Sequence, residues 1–356
     1  MSPSDPAELE RAVPRAAYPW AGRRVLVTGG CSFIGSHLVE ALLAQGVRHL
    51  RVVDDLSTGK LANLAGPLAA GQVELIQADL LADGRAREAV KDIDVVFHLA
   101  AIHGGRGFID LNQAKCARNL TLDGIVIDAA YQAGVEKFVF ASSGCVYPVE
   151  LQSDVNRTVY LSEDMVGPPF SADGMYGWAK LMAEETLRAY HKDFGFKSVS
   201  CRFFTAYGER CLESHAIIAM IGRAFLKLDP FEVWGDGTQI RNWTYVGDIV
   251  DGMIRAAEVV DDGSAINLGT EEPTRVIDAA RQVLALAGHQ AEIKLLTDMP
   301  TGPLNRVASN QVARERLGLA PRWRFADGLR RTLEWYFATH QAGDVAEGFE
   351  RKLVER

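Results

Sequence analysis

From residue 22 onward the chain alternates short Val/Ile/Leu-rich runs with longer segments of helical period, and that alternation admits few folds. The runs are RRVLVTG (23–29), HLRVVD (49–54), QVELIQAD (72–79), DVVFHLA (94–100), KFVFASS (137–143) and KSVSCRFF (197–204). Helical stretches such as 34–46, 113–134 and 175–194 separate them. Strands that are apolar along most of their length need cover on both faces. The pattern therefore predicts an α/β fold, a Rossmann-like doubly wound parallel sheet. Past about residue 204 the texture changes: Gly, Pro, Trp and Arg crowd 205–247 and 297–309, while helical pattern returns in 216–228, 248–259, 274–287 and 325–340. This predicts a smaller mixed α/β C-terminal lobe made of 205–235 and 273–356. The larger, Rossmann-like domain is expected over 21–204, with 236–272 contributing. Residues 1–20 carry Pro and charge where a signal peptide needs an apolar stretch, and read as a mobile arm.

The segment VTGGCSFIG follows the first run and opens a helix, where backbone N–H groups and the helix dipole hold a pyrophosphate. Asp54 ends the second run, nineteen residues after Gly35. A carboxylate there accepts hydrogen bonds from the adenosine ribose and repels a 2′-phosphate, so NAD is the expected cofactor rather than NADP. Two departures accompany the motif: Ser32 stands where such turns usually carry a middle glycine, and Asp55 follows Asp54 directly. The serine needs only a compatible backbone angle. Asp79, after the third run, reads either as an adenine contact or as a solvated loop carboxylate.

Tyr176-Gly-Trp-Ala-Lys180 places a phenol and an ammonium four residues apart, on one face of a helix. The cation is expected to lower the tyrosine pKa and make a base for a sugar hydroxyl. Ser143 ends the fifth run.

Composition removes several other classes of function. The 356 residues suffice for about two domains, and Lys+Arg 38 against Asp+Glu 46 leaves a net charge of −8. Binding driven by nucleic-acid charge is excluded on that balance. No apolar run reaches the ~18–20 residues of a membrane span. Five scattered cysteines without a CxxC spacing fit neither a disulfide framework nor a zinc site, so a reducing cytoplasm and no metal are expected.

Together TGGCSFIG, VVDDLSTG, HLAA, SSGCVYP, YGWAK, RFFTAYG and WGDGTQIRNWTYVGDIVDG make residues 22 to about 335 resemble the extended short-chain dehydrogenase/reductase family of nucleotide-sugar epimerases and dehydratases. The resemblance implies a bound NAD, a nucleotide-sugar substrate and a homodimer, commonly formed through helices around 113–134 and 175–194. It implies cofactor contacts from Gly29, Ser32, Phe33, Ile34 and Gly35 in the turn, from Asp54, Asp55 and Ser57, and from Asp79 and Leu80. Leu99, Ala100, Ala101 and Asn119 are expected to join them. Tyr176 and Ser143 would share the substrate hydroxyl, and Lys180 would hold the nicotinamide ribose.

Within that family SSGCVYP sets Cys145 where 4-epimerases usually carry threonine. SSxCxYP resembles instead GDP-mannose 3,5-epimerases and GDP-fucose synthases, whose equivalent cysteine removes protons at sugar C3 and C5. HLAAIHGGRGFI (98–109) is similar to the substrate loop of the 3,5-epimerases, which implies substrate contacts from His103, Gly104 and Arg106. His215 in ESHAIIAM aligns with the acid of the fucose synthases, with Cys211 a competing thiol nearby. Arg241 and Arg306 sit where the family places guanidinium groups on the diphosphate. Thr205, Asn242 and Ser309 depart from the family's Asn, Asp and Asp. The resemblance thus implies a 3,5-epimerase of a GDP-hexose acting through a 4-keto intermediate. A 4-epimerase is the alternative, then a reductase, a 4,6-dehydratase, or a silent dinucleotide-binding sensor.

Overall fold

The computed structural model describes residues 18–347 and residue 349. Its centre is a seven-stranded sheet of β1 (Arg24–Thr28), β2 (His49–Asp54), β3 (Val73–Gln77), β4 (Val95–His98), β5 (Lys137–Ser143), β6 (Ser198–Phe203) and β7 (Asp262–Leu268). The spatial order is β7-β6-β5-β4-β1-β2-β3, and every pairing is parallel. Successive strand residues point to opposite faces. Accordingly Val25 and Val27 join a core with Val52, Phe97 and Val139, while Leu26 joins Val53, Val96, Phe138 and Phe140 on the other side. All six strands expected from the sequence are present. The seventh, DGSAINL, escaped the reading because its first half is polar and its register with β6 shifts between Asp262 and Ala265.

The strand order turns back between β1 and β4, opening a crevice beyond their carboxyl ends. Over it stands a second group of short strands. Thr274–Arg275, Ile240–Arg241, Asn305–Ala308 and Tyr160–Leu161 form one four-stranded sheet, and Phe231–Trp234 pairs with Ile293–Leu296. The chain crosses between the two layers more often than expected: Tyr160–Leu161 belongs to the upper sheet, and of 236–272 only the helix Val246–Val259 and β7 belong to the main layer. The arm expected at 1–20 lies outside the described residues up to residue 17. Trp20, by contrast, is buried, with its indole N–H donating to Glu258 at 2.9 Å.

Candidate active site

The crevice is a cavity of about 380 Å³ between the two layers. Its floor begins with the turn after β1. Gly29 has φ +70°, and a Cβ on Gly35 would meet the Gly29 carbonyl oxygen at 2.2 Å, so the helix Phe33–Ala44 starts hard against the turn. Ser32 caps that helix with φ −85° and ψ −177°, an extended conformation open to any residue, which explains why serine can replace glycine there. Gly29, Ser32, Phe33, Ile34, Gly35, Leu99 and Ala101 all line the cavity.

Several expected cofactor residues do not. Asp54 is buried at the end of β2 and accepts the N–H groups of Cys31 and Leu56 at 2.9 Å each. Burial pushes its carboxyl above the usual range, against those hydrogen bonds. Asp55 is exposed and accepts from Ser57, Asp79 is exposed and accepts from the Leu81 N–H, and Leu80 is buried in the core. Ala100 N–H donates to Thr28. Asn119 is wholly buried and brackets the backbone of Ile102 with two hydrogen bonds of 2.8 and 2.9 Å. It fixes the loop that carries Leu99, Ala101 and His103 rather than facing the cavity.

Ser143, Cys145, Tyr176 and Lys180 converge on one wall. Ser143 ends β5, and its Oγ accepts the Cys145 N–H at 3.1 Å, closing the turn that presents the thiol. The helix Gly174–Phe194 brings Tyr176 to that turn through Gly177, where a Cβ would lie 2.2 Å from the Cys145 carbonyl oxygen. The electrostatics correct one expectation. Burial pushes the Tyr176 phenol well above its ordinary pKa, reinforced by Cys145 and Asp123, opposite in direction to the lowering expected from Lys180. Lys180 lies with Nζ 5.9 Å from the Tyr176 ring centre, and burial pushes its own pKa down. A base form of Tyr176 needs more positive charge than the chain alone supplies.

The opposite end of the cavity is built from charge. Asp173 accepts from Arg106 Nη1 at 2.7 Å and Arg306 Nη2 at 2.9 Å. Burial would raise its carboxyl, but the Arg306 and Arg106 guanidiniums hold it below its usual range. Arg306 also donates to Gln152 at 2.6 Å and, through Nη1, to Cys145 Sγ at 3.2 Å. Arg241 donates only to the carbonyls of Ile240 and Thr301 and makes no ion pair among the described residues. Burial and the neighbouring Arg306 and Arg106 push it down to about 9. A site this short of negative charge is built to receive an anion.

His103, Gly104, Thr205 and His215 also line the cavity, with the two imidazole rings 6.2 Å apart between centres. Thr205 has φ +34°, a left-handed conformation that asparagine adopts more readily than threonine, so the substitution is held by its surroundings. Burial pushes His215 down to about 4, a direction that favours the neutral imidazole. Cys211 is buried outside the cavity wall. Residues missed by sequence reasoning are Asp173 and Gln152, which orient Arg306, and Met220, Arg223, Glu232 and Trp234, which line the cavity from the upper layer. Asp173 did carry a signal, an acidic residue at the start of a predicted helix.

A phosphate-binding turn, a Ser-Tyr-Lys wall and an arginine-rich far end on a doubly wound sheet define a dinucleotide-dependent enzyme of small anionic substrates. The NAD dependent epimerase/dehydratase family matches residues 25–269, and the chain belongs to that family. It is 32% identical to GDP-mannose 3,5-epimerase 1 of Oryza sativa subsp. indica, over 92% of this chain and 85% of that protein. It is 30% identical to the uncharacterized UDP-glucose epimerase YtcB of Bacillus subtilis, over 89% and 99%. The UDP-glucuronic acid 4-epimerase of Bacillus cereus, solved with UDP-glucuronic acid and NAD, superposes with a TM-score of 0.78 at 28% identity, covering 89% of this chain and 100% of that one. The residues present fit NAD. The turn at Gly29 and the start of the helix at Phe33 form a cradle for phosphate, and Lys180 Nζ, buried in the cavity wall, makes no hydrogen bond among the described residues. Among the described residues no cluster could hold a metal ion, and no helix is long and apolar enough to cross a membrane.

Proposed function

We propose that the protein is a nucleotide-sugar epimerase that inverts C3 and C5 of a GDP-hexose resembling GDP-mannose, through a transient ketone at C4. The observation that carries this reading is Cys145. A 4-epimerase needs only the Ser143, Tyr176 and Lys180 wall, whereas here a thiol stands in the same wall with Arg306 on its sulfur. The likeness to the rice GDP-mannose 3,5-epimerase supports the choice of sugar.

The cofactor would be held by the Gly29–Gly35 turn and Lys180, within a domain of residues 21–204 completed by part of 236–272. The substrate would lie under 205–235 and 273–356. When bound, NAD supplies the oxidation at C4 and its reversal, together with a positively charged ring. Tyr176 accepts the C4 hydroxyl proton, and Ser143 orients that hydroxyl. Arg241, Arg306 and Arg106 receive the diphosphate and, with it, the negative charge that the site lacks. A C4 ketone acidifies the neighbouring C–H groups, and the neutral imidazole of His215 is ready to take such a proton. Cys145 returns one from its thiol, and the Arg306 guanidinium balances the charge left on sulfur. The roles of acid and base implied by the resemblance are thus exchanged. We infer a homodimer through the helices Gln113–Gln132 and Gly174–Phe194, which leave Leu120, Ile125 and Met182 exposed.

The test is incubation with NAD and GDP-mannose in D2O, following the ring hydrogens by NMR. Deuterium is expected at C3 and C5, with inversion of those carbons lost in Cys145→Ala and deuterium lost in His215→Asn. Conversion without deuterium would remove the Cys145 and His215 roles and leave a 4-epimerase. Turnover of UDP-sugars but not GDP-sugars would overturn the choice of nucleotide.

A further inference from the structure

Lys180 meets a buried chain of polar groups that the reading above leaves unused. Its Nζ lies 3.9 Å from Asp123 Oδ2, and both side chains are 1% exposed. Asp123 Oδ1 is 3.1 Å from His98 Nε2, and His98 Nδ1 is 2.7 Å from Thr28 Oγ1. The partners fix the protons. Thr28 Oγ1 accepts the N–H groups of Leu99 and Ala100 at 3.1 Å each, so its own hydrogen goes to His98 Nδ1. His98 then carries its proton on Nε2 and donates it to Asp123. Burial pushes the His98 pKa down, in keeping with a neutral ring.

Asp123 Oδ2 is thereby left facing the lysine, and neither that oxygen nor Nζ has a hydrogen bond among the described residues. The other titratable groups around the pair offer Lys180 no counter-charge. Glu184, one helical turn beyond it, is taken by Arg202 and Ser142. Burial raises the Tyr176 phenol and the thiol of Cys116, from the helix that carries Asp123, so neither offers an anion; the Cys145 sulfur, in the turn after β5, receives the Arg306 N–H; and His98 is neutral. A lysine buried without a counter-charge loses its proton, and a neutral amine cannot supply charge to a phenol. We propose that Asp123 is a positioning residue: it keeps Lys180 an ammonium in a dry site, while Thr28 and His98 hold its carboxylate in place. The chain links the backbone of the cofactor loop at Leu99 and Ala100 to the lysine that serves Tyr176. The proposal rests on that reading of Lys180, but its first test needs no substrate.

Full-length protein with 13C-labelled lysine, compared with Asp123→Asn, lets NMR follow the Lys180 Cε signal, which Lys180→Met assigns. In Asp123→Asn the Lys180 titration is expected to move down by about 1–3 pH units. The alkaline limb of NAD binding, read by tryptophan fluorescence, is expected to move with it. An unchanged titration overturns the proposal. Thermal melts of Asp123→Asn alone and in the Lys180→Met background provide a second check on folding. The melting temperature is expected to fall in the first and to hold or rise in the second, where the carboxylate has no cation to serve. An equal fall in both assigns Asp123 to the fold alone and overturns the proposal. Failure of the epimerase reading with the titration shift intact leaves Asp123 in its role.

Discussion

The two ends of the cavity are made in different ways. The turn from Gly29 to Gly35 is built by backbone, from neighbouring residues, and its side chains could change without loss of the cradle, as Ser32 illustrates. The far end is built by side chains from separate stretches, with Asp173 joining Arg106 to Arg306 and Arg306 touching both Gln152 and Cys145. The first tolerates changes of side chain, while the second is tuned, because each charge there depends on its neighbours. Changes at the two ends therefore differ in size and in kind.

The largest effect is expected where the ends meet. Tyr176→Phe removes one hydroxyl and keeps the ring, so turnover should fall by about 10²–10⁴-fold with an unchanged melting curve. Turnover within a few fold of wild type would mean that another group handles the C4 proton. At the charged end Asp173→Asn leaves two guanidinium groups short of a partner, with an expected loss of roughly 3–5 kcal/mol measured by urea unfolding. The pH sign follows from the depressed Asp173 pKa. Its contribution is present above the ordinary 3.8 and is lost as pH falls through the folded value, so the variant should lose the wild type's acid sensitivity in that window.

The same contrast governs how much was legible in the sequence. Strands β1 to β6, the turn and the Tyr176/Lys180 pair are local patterns, readable because period and spacing fix which face each residue takes. The strand Asp262–Leu268 was hidden by Gly263 and by polar residues that the pairing with β6 tolerates. Asp173, Gln152 and Asp123 were hidden for another reason: each acts on a partner that only the fold brings near. Asn119, expected among the cofactor contacts, instead spends its amide on the backbone of Ile102, a partner that only the folded loop brings near.

His215 sharpens the comparison from the side of titration. Its folded pKa of about 4 lies below the ordinary 6.5 because burial disfavours the charged ring. The unfolded chain thus binds more protons between those values, so the stabilising difference is complete above about 6.5 and is lost as pH falls towards 4. Unfolding by urea across that range should show a slope that His215→Asn reduces. Equal slopes would mean that the imidazole is solvated, and the proton-accepting role proposed for it would lose its basis.

The smallest effect belongs to the turn. Ser32→Gly restores the glycine usual at that position, and a helix cap changed from serine to glycine costs only a few tenths of a kcal/mol. The Ser32 side chain makes no cap hydrogen bond and lies 3.4 Å from Thr58 Oγ1, so little is lost with it. NAD affinity measured by calorimetry should stay within about 1 kcal/mol of wild type, under tenfold in the binding constant. A larger loss would show that the serine hydroxyl itself holds phosphate, and that this end, too, recognises its ligand by side chain. In that case the contrast between a permissive backbone cradle and a tuned charge cluster would fail at the residue where it is most exposed to test.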